Sequence, residues 1–259
     1  MEGSNMSVDS NGYISQPTFK EFQPIFSDTV SNVTKCLTES FSKLIHSLYI
    51  YGSIAENQAK PRISDLDMTI IFNHQPNIET IEQLDKIRIE LEICNPIITK
   101  IDFDCGTIQE VLNPDNLFTW GYWIKHHCVC IYGVDLSECF SLFRPSRDIA
   151  IAINQDFLQV LDNYLFQIDK LNDHQKILNI QRAAARKIIR STNILRKEED
   201  RDWPKSLQDY YIRFKRKYPE LENDIDYLLS VSLEPTEDIE IFSRRIKSFA
   251  AWLDTEIKK

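Results

Sequence analysis

At 259 residues the chain can hold one large domain or two small ones, and its 42% hydrophobic content excludes disorder for most of its length. A net charge of −9 argues against a surface built mainly to grip nucleic-acid backbone, which would be basic. The acidity is local: residues 21–143 carry eight Lys/Arg against 17 Asp/Glu, whereas 144–259 are nearly neutral. An acidic first half suits a metal or a cationic substrate.

The N-terminal residues 1–18 are polar and lack an apolar leader, which predicts a disordered tail. From Phe19 to Leu44, Phe22, Ile25, Phe26, Val30, Val33, Leu37, Phe41 and Leu44 recur at helical spacing. Strands are predicted at Ser47–Tyr51, Leu66–Phe72, Ile97–Phe103 and Val129–Tyr132, the last closed by Gly133, with a helix over Ile78–Ile93. Beyond Arg144-Pro145-Ser146-Arg147-Asp148 the pattern turns helical throughout: Ile149–Leu171, Gln175–Leu195, Leu207–Lys217, Glu220–Val231 and Ile239–Ile257. The expected fold is α+β. A first domain over 19–145, with a mixed sheet and flanking helices, precedes a helical bundle over 146–259.

Six cysteines lie at positions 36, 94, 105, 128, 130 and 139 with no C-x-x-C pair, and they read as reduced thiols. His126-His127-Cys128-Val129-Cys130 does not match known zinc spacings. No apolar run approaches the roughly 20 residues needed to cross a bilayer, so a cytoplasmic protein is expected.

The chemistry gathers in three segments. Gly52-Ser53 ends the first strand, where a residue without a side chain lets backbone approach a phosphate. Twelve positions beyond Ser53, Ser64-Asp65-Leu66-Asp67 opens the second strand. Alternation sends Asp65 and Asp67 to one face, and adjacent carboxylates call for a cation, here Mg²⁺. A two-metal site needs a third carboxylate that also takes the proton of an attacking hydroxyl. Asp102 is assigned that place, with Asp104, two residues along the same face, as the alternative. A D-x-D alone carries no weight: chance yields about two in a chain with this many aspartates, and four occur. The context of strand, Gly-Ser, loop, D-x-D and strand-borne Asp carries the assignment.

YGSIAENQAKPRISDLDMTIIF resembles the signature of the DNA-polymerase-β-like nucleotidyltransferases, KIDFDCGTIQEVL their third-carboxylate strand, and IKHHCVCIYGVDL the segment that ends their sheet. The helical half, through QRAAARKIIRSTNILRKEEDRDWPKSLQDYY and RKYPELENDID, resembles aminoglycoside (streptomycin/spectinomycin-type) adenylyltransferases. The resemblance implies Mg²⁺-dependent transfer of AMP from ATP to a hydroxyl, in a cleft between two domains, with pyrophosphate released and two Mg²⁺ ions engaged. It also implies that Lys205, after Trp203-Pro204, reaches the triphosphate. Two departures stand out: many members have Arg-Gly shortly after the Gly-Ser where this chain has Glu56-Asn57, and many have one residue fewer before the first Asp.

Arg182, Arg186 and Arg190 share one helix face at i, i+4 and i+8, as a triphosphate-binding stripe or a solvated one. Glu198, Glu199, Asp200, Asp202 and Trp203 form an acidic loop ending in an aromatic, which either holds a polycationic acceptor or is a solvated connection. Arg213, Lys215, Arg216 and Lys217 read as surface charges. The expected partners are a nucleoside triphosphate and a small-molecule acceptor, with nucleic acid disfavoured and no membrane. The competing readings are a toxin-like enzyme acting on tRNA or a protein, and a non-catalytic nucleotide-binding scaffold. The ribonuclease partner of such toxins carries Arg four to six residues before His, and no histidine here has that arginine.

Overall fold

The computed structural model describes residues 7–19, 21–235 and 238–259. It comprises two compact units: Ser15–Phe143, and Arg144–Lys259 together with the N-terminal segment ending at Ile14.

The first unit opens with α1 (Pro24–Ser40), which starts five residues later than expected because Pro24 occupies its first turn, where a missing N–H costs nothing. Phe26, Val30, Val33 and Leu37 form its buried stripe. Four strands follow: β1 (Ile45–Tyr51), β2 (Leu66–Phe72), β3 (Ile101–Thr107) and β4 (Val129–Gly133). They form a mixed sheet in the order β3-β2-β1-β4, parallel only between β2 and β3. The short helix α2 (Gly52–Ala55) follows β1, and α3 (Ile78–Cys94) provides the crossover that a parallel pair requires.

Each central strand is buried on both faces, so each reads as a nearly continuous apolar run. Leu48, Ile50, Leu66, Met68 and Ile70 pack in one cluster with α1 and with Leu84 and Leu91 of α3. Tyr49 and Ile71 pack in another with Val111, Ile124 and Leu136. Alternation places Tyr51, Asp67 and Thr69 on this second face.

The start of β3 differs from expectation. Ile97 and Ile98 are apolar but lie in a turn after Asn95-Pro96, held by Ile98 N–H on Asn95 O (3.2 Å) and Arg62 N–H on Ile97 O (2.6 Å). Ile98 is buried from that turn, so its hydrophobicity reports burial rather than strand.

In the second unit the expected helix Ile149–Leu171 is two helices, α6 (Arg147–Asn154) and α7 (Phe157–Lys170). At the break Asn154 is buried, and its side-chain amide bonds Ala150 O (3.1 Å), a local bond that competes with helix continuation. In the first unit, α4 (Ile108–Leu112) follows β3 and α5 (Tyr122–His126) precedes β4. Helix α8 (His174–Ser191) tightens into a 3₁₀ turn over Thr192–Leu195. Helices α9 (Leu207–Lys217), α10 (Glu222–Leu233) and α11 (Ile239–Ile257) complete the unit. Leu161 and Leu165 of α7, Ile188 and Ile189 of α8, Phe214 of α9, Leu228 of α10 and Phe242 of α11 share one core.

Residues 1–6 of the expected tail lie outside the described residues. The rest is ordered as far as Ile14: Val8 and Ile14 form an antiparallel bridge, Gly12 takes φ +80, and Asp9 Oδ1 accepts from the N–H groups of Asn11 and Tyr13. Arg144 stacks on Tyr13 at 4.3 Å, and Ser7 Oγ donates to Trp203 O (3.1 Å). A polar composition hid these few anchoring residues.

Candidate active site

Gly52 adopts φ +70, the left-handed region that side chains avoid. A Cβ there would lie 2.4 Å from Asp67 Oδ2, so the missing side chain is what allows the two residues to approach. Ser53 follows in the first turn of α2, where backbone N–H groups have no intrahelical acceptor and suit an anion. Asn57 (φ 57) closes this turn in the left-handed conformation, with its N–H on Ile54 O. Where the resembled family has Arg-Gly, the asparagine thus performs the conformational task of a glycine.

The sheet aligns the carboxylates. Tyr51 pairs with Asp67 across β1 and β2, and Asp67 with Asp102 across β2 and β3. Asp104 falls opposite Thr69, one pleat further along. Burial, then the charges of Asp102 and Asp65, push the Asp67 carboxyl up to about 6. Tyr51 Oη donates to Asp104 Oδ2 (2.5 Å), and burial together with this partner raises the phenol's pKa. Trp123 packs edge-on against Tyr51 at 4.7 Å and donates to Thr69 Oγ1 (3.2 Å), walling this end of the site.

Two neighbours that motif spacing did not single out hold the outer carboxylates. Thr99 Oγ1 donates to Asp65 Oδ1. Lys100 Nζ pairs with Asp102 Oδ2 and lies 3.6 Å from Asp65 Oδ2. Burial works against the Lys100 charge, but the two carboxylates outweigh it and hold its pKa above the ordinary value. The available signal was a lysine two residues before Asp102, immediately ahead of β3. Among the described residues no three His, Cys, Asp or Glu side chains converge as they stand. Asp65 and Asp102 are instead turned toward Thr99 and Lys100. The donors are all hard oxygens, on backbone that register holds side by side, and they fit a divalent cation such as Mg²⁺.

The His-His-Cys-x-Cys segment is spread apart. His126 bonds Ser15 O and Phe143 N, His127 bonds Tyr122 Oη, and Cys128 is buried near Thr69 Oγ1.

Residues 30–108 match the model of the nucleotidyltransferase domain, a span that contains Gly52, Ser53 and all the carboxylates above. The chain carries a nucleotidyltransferase domain. No curated protein matches the chain in sequence. In fold it is similar to spectinomycin adenyltransferase AAD(9) of Enterococcus faecialis, a crystal structure with ATP and spectinomycin. The TM-score is 0.56 at 17% identity, over 90% of this chain and 99% of that one. The domain makes the chain a nucleotidyltransferase enzyme, and its fold resembles that of an aminoglycoside adenylyltransferase.

Of the candidates outside the nucleotidyltransferase domain, Trp203 and Asp202 are placed differently from expectation. Trp203 is 2% exposed and stacked by Arg196 at 4.7 Å, so its ring is not a platform for a ligand. Asp202 and Asp200 both pair with Arg213, whose side chain is only 13% exposed, and Arg196 donates to both their backbone carbonyls (2.8 and 2.9 Å). Asp200 and Asp202 are therefore committed to Arg213 of α9, which is a structural cation rather than a surface charge. Glu198 remains exposed. Arg182 donates to Asn179 and to Leu233 O, Arg186 and Arg190 lie on the exposed side of α8, and Lys205 is exposed beside the cap of α9. Among the described residues, no helix is long and apolar enough to cross a membrane.

Proposed function

We propose that this enzyme transfers AMP from ATP to a hydroxyl of a small molecule of the aminoglycoside type, in a Mg²⁺-dependent reaction that releases pyrophosphate. One arrangement carries the reading: bare glycine backbone set against Asp67, with Asp102 beside Asp67 in register. Gly52 and the Ser53 amide and hydroxyl bind phosphate oxygens. Asp65, Asp67 and Asp102 would hold two Mg²⁺ ions, which would supply charge neutralisation for the phosphates and lower the pKa of a bound hydroxyl. Asp102 accepts the acceptor's proton as that oxygen bonds the α-phosphorus. The bond from the α-phosphorus to the bridging oxygen breaks, and pyrophosphate carries away the electron pair. Arg182, Arg186 and Lys205 are the helical unit's nucleotide-binding candidates, as cations that pair with phosphate oxygens.

The test incubates the enzyme with α-labelled ATP, Mg²⁺ and a panel of aminoglycosides and aminocyclitols. The expected result is label on a small molecule with stoichiometric pyrophosphate, lost in Asp67→Ala and Asp102→Ala. Label on tRNA or protein alone overturns the acceptor, and full activity in Asp67→Ala overturns the metal assignment.

A further inference from the structure

We infer that Lys100 is a built-in counterion of the carboxylate site, one that a divalent cation must displace before Asp65 and Asp102 can share it. The inference rests on the metal-binding reading proposed above.

Lys100 is anchored at its backbone. Leu66 N–H donates to Lys100 O (3.0 Å), and Thr99 N–H donates to Ser64 O (3.1 Å). These two bonds extend the β2–β3 ladder backwards past the first paired residues, Leu66 and Ile101. They fix the Lys100 Cα beside the segment that enters β2 and carries Asp65. From there the ammonium pairs with Asp102 of β3 and reaches Asp65 just ahead of β2. One cation thus bridges two carboxylates from separate segments of the chain.

An ammonium and a divalent cation repel each other strongly at such separations and compete for the same oxygens. The exchange requires no backbone change. The three side chains are 50%, 32% and 45% exposed, so the lysine leaves by rotation about its own bonds. Removing the lysine's charge therefore has two effects of opposite sign. The carboxylates lose their screening, which destabilises the metal-free protein, and an entering cation loses its competitor, which tightens binding. A lysine that merely packs against the strand would weaken both.

The experiment uses the full chain as wild type, Lys100→Gln and Lys100→Arg, with Mn²⁺ alone as the probe. Isothermal titration reads affinity, and melting in EDTA reads the metal-free protein. Lys100→Gln is expected to melt lower in EDTA yet bind Mn²⁺ on the order of tenfold more tightly. Lys100→Arg restores both values toward wild type. If wild type binds Mn²⁺ and Lys100→Gln binds it equally or more weakly, the inference falls while the metal reading stands. If neither protein takes up Mn²⁺, both fall. Binding by Lys100→Gln alone sustains the inference and overturns the metal reading for the native enzyme.

Discussion

Asp67 of β2 stands directly opposite Asp102 of β3 in the parallel ladder, while Tyr51 of β1 faces Asp67 from the other side. This places two carboxylates at neighbouring positions on a partly buried sheet face, where their repulsion is weakly screened. The protein tolerates the cost because Lys100 and Thr99 hold the outer carboxylates.

Asp67→Asn should separate stability from activity. The Asp67 carboxyl is pushed up to about 6 by burial and by Asp102 and Asp65, so near neutral pH its charge opposes folding. The amide should stabilise the protein in EDTA by about 1–2 kcal/mol while abolishing transfer. Urea denaturation checks this, and a less stable variant would sink the electrostatic account.

Gly52→Ala should fail for a steric reason. Its backbone sits at φ +70, and the new methyl meets Asp67 Oδ2 at 2.4 Å. A loss of about 1–3 kcal/mol is expected, together with weakened ATP binding. Calorimetric titration with Mg-ATP and thermal melting test both, and a variant that binds and melts like wild type removes the cradle argument.

Acid should loosen the first unit through His126. Its Nε2 accepts from Phe143 N–H (3.1 Å), so the ring's proton sits on Nδ1 and donates to Ser15 O (3.2 Å). Burial lowers the ring's pKa below its ordinary 6.5. The unfolded chain therefore binds the proton first. Stability is full above 6.5 and declines as pH falls through that value toward the folded pKa. The stability difference between wild type and His126→Gln, followed from pH 7.5 to 5, should show this slope free of the opposing protonation of Asp67.

Arg213→Ala should cost about 2–3 kcal/mol, because it leaves Asp200 and Asp202 without their shared, largely buried cation. Asp200→Asn combined with Asp202→Asn should recover part of the loss. Urea midpoints of the single, double and triple variants give the coupling, and strict additivity would mean that the pairs contribute nothing.

Much of this protein was legible in its order of residues. Apolar spacing located β2 and α11 to the residue, because each is bounded by a short polar signal, the Ser64-Asp65 entry and the Asp238 cap. The Gly52-Ser53 and Asp65-x-Asp67 spacing pointed to a phosphate and cation chemistry, since strand alternation is a local rule. Local rules end where partners are distant in sequence. The parallel register puts Asp102, rather than Asp104, beside Asp67, and it follows from the packing of α3 as the crossover. The bridging by Lys100, the burial of Trp203 and the pairing of Asp202 with Arg213 depend on which side chains meet in space. A charged residue reads the same in a sequence whether it faces water, substrate or a buried partner. Only tertiary contact sets its dielectric surroundings, and with them its task.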